Sequence, residues 1–178
     1  MDRFSILVGD ITQSDAEAIV NAADPSLLGG AGVDGAIHAA AGPELLAECR
    51  TLGGCERGQA KLTAGYRLRA KYVIHTPGPV WQGGDHGEAA LLASCYRSCL
   101  ETAAARGIRT LDFCSISTGV YGYPLPLAAT VALRTIMEFL AGRALPERVR
   151  MVCHSEAAAE ASRQTGNLWY GEDRDRRL

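Results

Sequence analysis

At 178 residues the chain is long enough to bury a full core in one domain, and 47% hydrophobic with 21% charged residues is the balance of a globular protein. A formal net charge of −2 provides no global field to gather nucleic acid or an anionic membrane. No apolar run approaches the roughly 18 residues of a membrane span, and the start MDRFSILVGD has no signal-peptide core, so a cytoplasmic protein is expected.

In chain order, Phe4 to Val8 is a short apolar run ending at Gly9-Asp10, a strand followed by a turn. Glu17 to Ala22 reads as a second, buried strand. A glycine-rich loop follows, then a short helix from Asp34 to Ala41. Gly42-Pro43 restarts a helix through PELLAECRTL, with proline at the first position, where a missing N–H costs nothing. GGCERGQ is a loop; AKLTAGY and KYVIHT are strands joined by a basic turn, and PGPVWQGG is irregular. From Glu88 to Arg106, Leu91, Leu92, Cys95, Tyr96, Cys99 and Ala103 recur at helical spacing, and Gly107 stops the helix. Arg109 to Ser115 is a strand, STGVYGYP a second glycine loop, and Leu127, Val131, Ile136 and Leu140 line a helix to about Arg143. Val149 to Cys153 is the last strand and Glu156 to Arg163 the last helix; the tail GEDRDRRL is a solvated charge run.

Strands alternating with helices predict a three-layer α/β domain with a mixed, largely parallel sheet. Ligands of such sheets bind in loops beyond the strand C-termini, where the Gly9-Asp10 turn and both glycine loops fall. Glycine loops that open a helix present main-chain N–H groups to phosphate without a side chain to hold it off. GAGVDG, residues 30–35, matches the GxGxxG spacing of dinucleotide-binding folds, but residues 24–29 separate it from the strand and Glu56 falls in a loop. That context argues against a nicotinamide enzyme, and the absence of GK[ST] against a Walker-type triphosphatase.

Six cysteines, at 49, 55, 95, 99, 114 and 153, form no CxxC pair and fall mostly in apolar segments, the pattern of reduced, buried thiols. The histidines, at 38, 75, 86 and 154, are scattered, so neither a metal site nor a cofactor is expected.

Four stretches together resemble a known family: GDIT (Gly9–Thr12), AIVNAADPSLLGGAGVDGAIHAAAGP (Ala18–Pro43), VIHTPGPVW (Val73–Trp81) and ISTGVYGYP (Ile116–Pro124). They look like the macrodomain signature, most of all the MacroD-type branch of bacterial O-acetyl-ADP-ribose deacetylases. The resemblance spans residues 3 to about 160 and implies a three-layer α/β/α macrodomain, set here at 1–165 with a tail at 166–178. It implies a hydrolase for esters on the distal ribose of ADP-ribose, either the acetyl ester or a link to acidic side chains of ADP-ribosylated proteins. The alternative is a non-catalytic reader of ADP-ribose; a nucleic-acid module is disfavoured for want of a basic patch beyond Arg67, Arg69 and Lys71.

Carried over residue by residue, the resemblance puts Asp10 on the adenine amino group, with Ile11 beside it. Ser117, Thr118, Gly119, Val120 and Tyr121 form the diphosphate loop, with Tyr121 walling the distal ribose. Gly32 and Val33 face it, Asn21 lies near that ribose, and Asp34 orients or activates water. His38 is expected to pack within its helix.

The usual NAAN reads NAAD here, so Asp24 stands where the second catalytic asparagine is expected. An ionised aspartate accepts hydrogen bonds only, and it adds negative charge beside an anionic ligand. If it lies close to Asp34, one of the two carboxyls should be pushed up. Ala31 takes the place of a third glycine, and His154 that of an aromatic residue near adenine.

Overall fold

A computed structural model describes residues 3–171 of the chain. Six strands form one sheet: β1 (Phe4–Val8), β2 (Ala18–Ala22), β3 (Lys61–Ala64), β4 (Tyr72–Thr76), β5 (Thr110–Phe113) and β6 (Arg148–Cys153), in the order β1-β6-β5-β2-β4-β3. Every pairing is parallel except β3 with β4. The mixed, largely parallel sheet expected from the alternating pattern is therefore present, with the antiparallel strand at an edge.

Five helices cover both faces: α1 (Gly32–Ala41), α2 (Pro43–Arg50), α3 (Glu88–Ala105), α4 (Leu125–Gly142) and α5 (Glu156–Gly171). α1 and α2 pack on each other and against β2 and β3; α3, α4 and α5 pack side by side, with α3 on β4 and α5 on β1 and β6. β2 is central and buried on both sides, which is why AIVNA reads as a continuous run rather than an alternating one. Ile19, Val20, Ile74, Leu111, Phe113 and Val149 form the middle of the core, and the Tyr96 ring packs 5.0 Å from that of Phe113.

Two helix boundaries are among the differences from the sequence reading. α1 begins at Gly32, two residues before Asp34, because the open N-terminal turn of a helix tolerates glycine. α5 runs on to Gly171, past Arg163 and across the expected start of the tail; residues 172–178, most of the charge run, lie outside the described residues. α4, which carries Arg134 and Glu138 and is not an uninterrupted apolar run, is still by length and composition apolar enough to cross a membrane (mean hydropathy 1.4). Its apolar face is spent on packing against α3 and α5.

All six cysteines are unpaired and buried, as the spacing anticipated. Burial pushes their thiols up, Cys49 to about 11 and Cys114 to about 12. They are apolar filler at neutral pH.

Candidate functional site

Because β1, β6, β5, β2 and β4 run parallel, their C-termini share one edge of the sheet. The chain leaves that edge through Gly9-Asp10, His154, residues 114–124, residues 23–31 and Pro77-Gly78, and a cleft of about 730 Å³ opens there. Every residue expected at the site lines this cleft except Asn21.

The two glycine loops are built for close backbone approach. A Cβ at Gly35 would lie 2.5 Å from the Gly30 carbonyl oxygen, so the first turn of α1 can lie against its own entry loop only without a side chain there. A Cβ at Gly78 would collide with Ser117 Oγ. Each loop also holds one non-glycine residue in the left-handed region, Leu27 (φ 61°) and Ser117 (φ 67°). Buried surroundings maintain both: Leu27 packs into the core, and Ser117 is covered by Gly78. Ala31 is extended (φ −90°, ψ 179°) and exposed, so its methyl group is accommodated without cost where a glycine was expected.

Tyr96 Oη accepts the Ile116 N–H at 3.2 Å, and the Tyr123 N–H closes back on the Ser117 carbonyl at 3.0 Å. Among the described residues, the N–H groups of residues 117–121 donate to no protein acceptor. Across the cleft, Gly32, Val33 and Asp34 are the first three residues of α1, and their N–H groups have no partner within the helix. Unspent amides thus face each other across the cleft, with the positive end of the α1 dipole added on one side.

Asp34 is 4% exposed. Its Oδ1 accepts from Asn21 Nδ2 at 2.9 Å and its Oδ2 from the Asp24 N–H at 3.2 Å. It belongs to the first turn of α1, not to the loop, and it does not cap that helix: the N-cap is Ala31, which makes no side-chain bond. His38, one turn further on, brings Nε2 to 3.4 Å from Asp34 Oδ1, so its position in the helix also sets it against the carboxylate.

Asn21, expected near the distal ribose, is fully buried and stands behind the cleft lining, on Asp34. Its amide is consumed by Asp34 and by His75 Nδ1 at 3.1 Å. β2 and β4 are in register at Asn21 and His75, which brings the two side chains together. Since Nδ1 accepts from Asn21, His75 carries its proton on Nε2 and donates it to Thr63 Oγ1 at 2.9 Å; Thr63 in turn donates to the Ala64 carbonyl. Burial, reinforced by the charge of His38, pushes His75 down to about 3 and keeps it neutral. This directional chain orients Asn21 so that an N–H, not the carbonyl, meets Asp34.

Asp24 is exposed, and its Oδ2 accepts from the Ser26 hydroxyl at 2.5 Å and the Ser26 N–H at 2.9 Å. Those bonds, with a smaller contribution from Arg57, hold its carboxyl below the usual range despite some burial. The raised carboxyl expected from two neighbouring aspartates is therefore not found at Asp24: its side chain is turned to Ser26, and its link to Asp34 is the main-chain amide. At the other end of the cleft, Asp10 caps a single 3₁₀ turn, Ile11–Gln13, spending Oδ1 on the Thr12 N–H and hydroxyl and leaving Oδ2 unused. His154 is exposed opposite it.

Residues 20–132 match the Macro domain family. The chain belongs to the macrodomain family. A Macro domain-containing protein of Methanosarcina mazei is 55% identical over 161 residues, covering 90% of this macrodomain and 86% of its own chain. A Salmonella gallinarum protein named O-acetyl-ADP-ribose deacetylase is 54% identical over 161 residues, 88% of this chain and 90% of its own. Among solved structures, an Oceanobacillus iheyensis macrodomain variant with ADPR matches with a TM-score of 0.90 at 42% identity, over 93% of this chain and 92% of that one.

Sequence reasoning missed Thr63, His75 and Arg57. His38 reads in the sequence as helix packing, although its i,i+4 spacing from Asp34 is a usable signal. The pairing of His75 with Asn21 depends on strand order, which no local pattern carries.

Proposed function

We propose that this macrodomain binds ADP-ribose along the cleft and hydrolyses an ester on the distal ribose, releasing acetate from O-acetyl-ADP-ribose or ADP-ribose from acidic side chains. The observation that carries the reading is Asp34, a nearly buried carboxylate fixed by Asn21 and the Asp24 amide at the mouth of two loops of unspent N–H groups. The name of the Salmonella relative and the ADPR of the Oceanobacillus structure support it. Variants of that Oceanobacillus macrodomain replace an asparagine, a glycine seven positions on and an aspartate three beyond it; Asp24, Ala31 and Asp34 stand at the same spacing.

In this reading the adenine lies between Asp10 and His154, with its amino group on the free Oδ2 of Asp10. The diphosphate takes the amides of residues 117–121 and of the α1 N-terminus, a charge-assisted arrangement. The distal ribose then lies between Tyr121 and Asp34. Asp34 orients a water and draws its proton as the oxygen adds to the ester carbonyl. The tetrahedral adduct collapses with the ribose oxygen leaving, and the proton passes to it, giving a free hydroxyl and the carboxylic acid. The exposed Asp24, an acceptor only, leaves a second reading in which the cleft binds without turnover. Incubating O-acetyl-ADP-ribose with the wild type and with Asp34→Ala decides between them: acetate release by the wild type alone supports the hydrolase, and tight binding without release by either protein leaves a reader.

A further inference from the structure

Three carboxylates, Asp10, Asp24 and Asp34, line the cleft, and among the described residues no lysine or arginine does. A ligand with a diphosphate adds negative charge to that wall, and the exposed Asp24 carboxylate is not neutralised by an ion pair at contact distance. Immediately behind the wall stands Arg57. Its loop is tied on both sides: the Cys55 N–H donates to the Pro25 carbonyl at 2.8 Å, and the Gly58 N–H to the Pro77 carbonyl at 3.0 Å. The Gly58 carbonyl is held in addition by the Ser94 and Ser98 hydroxyls, each at 2.8 Å.

These ties fix Arg57 between the exits of β2 and β4, and the residue bonded by Cys55 directly follows Asp24. From there Nη1 donates to the Gly78 carbonyl at 2.5 Å, and the guanidinium carbon lies 5.2 Å from the centroid of the Tyr121 ring. Both contacted residues line the cleft. A planar cation stacked on an aromatic ring fixes the ring as well as lending charge, which a lysine does less well.

We propose that Arg57 is a positioning and specificity-determining residue of this cleft: it holds Tyr121 at the distal-ribose end and supplies the cation that lets an anionic diphosphate ligand lie beside Asp24. The inference rests on the ADP-ribose reading above. It predicts coupling between Arg57 and Asp24, since a counter-charge matters only while the charge it counters is present.

The experiment is a double-mutant cycle of ADP-ribose affinity by calorimetry, in the wild type, Arg57→Ala, Asp24→Asn and the double variant, with thermal unfolding to verify that each is folded. Arg57→Ala should weaken binding about tenfold in the wild-type background and no more than about twofold with Asp24→Asn, a coupling of the size seen between interacting side chains. Raising the salt concentration should shrink the first factor, because the coupling is between charges. Arg57→Lys, which keeps the charge but loses the planar stack on Tyr121, should recover only part of the affinity, and it serves where the alanine variant fails to fold. An equal loss in both backgrounds would reduce Arg57 to a loop staple and overturn the inference while leaving ADP-ribose binding intact, as would no loss at all. A wild type that takes up no ADP-ribose would overturn the proposed function itself and this inference with it.

Discussion

Asp34 has each carboxylate oxygen committed to a different donor, Oδ1 to the Asn21 amide and Oδ2 to the Asp24 N–H, so the side chain cannot swing away from the cleft. Asp34→Ala should lower ester hydrolysis by about 10²- to 10⁴-fold, the usual worth of a positioned acid or base, and change ADP-ribose affinity far less. Acetate release and calorimetry measure the two separately; an unchanged rate removes Asp34 from the reaction. Asp24→Asn should tighten ADP-ribose binding at neutral pH, since the variant side chain carries no charge and the amide that holds Asp34 is retained. Equal affinity and equal rate would dispose of that expectation. His75 offers a pH signature instead. Its folded-state value of about 3 lies below the ordinary 6.5, so the unfolded chain takes up the proton first. Its contribution to stability is complete above pH 6.5 and falls as pH drops towards 3, by about 1.4 kcal/mol for each unit once well below 6.5. Urea unfolding at pH 7, 6 and 5 should follow that slope, and His75→Gln should flatten it; parallel curves for the two proteins would contradict the assignment. Asp34 was legible through the resemblance of its stretch, Ala18–Pro43, to the macrodomain signature. The pairing of Asn21 with His75 was not, because it is fixed by the register of β2 on β4.

Local pattern sufficed for the existence of the elements, as helical spacing in α3 shows, but not always for their faces: in α4 Leu127 is exposed and Val131 half-buried, and the buried stripe runs through Ala128, Ala132, Ile136 and Leu140. Order was another matter: β6 lies between β1 and β5, and β2 between β5 and β4, through contacts distant in sequence. One such contact is polar. Asp112 on β5 is fully buried and receives Nε and Nη2 of Arg150 on β6, both at 2.8 Å, with the Ser14 hydroxyl at 2.6 Å from the segment after β1. A pair of this kind contributes modest net stability while intact, but its rupture leaves a guanidinium without its fork-shaped partner. Asp112→Ala should therefore destabilise the fold by about 3–5 kcal/mol in denaturant titration. Double replacement of Asp112 and Arg150 by apolar residues should cost less than the single change, which separates the stranded charge from simple loss of packing. At the entrance to α3, burial works against the ionised form of Glu88, yet the N–H groups of Gln82, Gly84 and His86 hold its carboxyl at about 2. The 82–87 loop is thus folded around one acceptor. Glu88→Ala should open it, read as faster amide exchange at Gln82, Gly84 and His86; unaltered protection would show that the loop is held by other contacts.

Across the whole molecule, the cleft is laid out in strand order. Asp10 follows β1, His154 follows β6, the 117–121 loop follows β5, Asp24 and Asp34 follow β2, and Gly78 follows β4, so neighbouring strands deliver neighbouring parts of one elongated site. In the ADP-ribose reading proposed above, the base lies over β1 and β6, the diphosphate at β5 and the distal sugar at β2. Fragments should then stabilise the fold in steps. AMP reaches only the first segment; ADP adds the unspent amides of both loops; ADP-ribose adds the contacts at Tyr121 and Asp34. Because a ligand that binds only the folded state stabilises by RT ln(1 + [L]/Kd), ADP-ribose at a hundredfold its Kd should add about 2.7 kcal/mol, and the same concentrations of ADP and AMP progressively less. The ladder also localises each end: Asp10→Ala should weaken all three ligands by a common factor, whereas Asp34→Ala should leave AMP untouched. If AMP raised the unfolding temperature as much as ADP-ribose does, the amides of the second loop would not be holding phosphate, and the strand-by-strand layout of the ligand would be wrong.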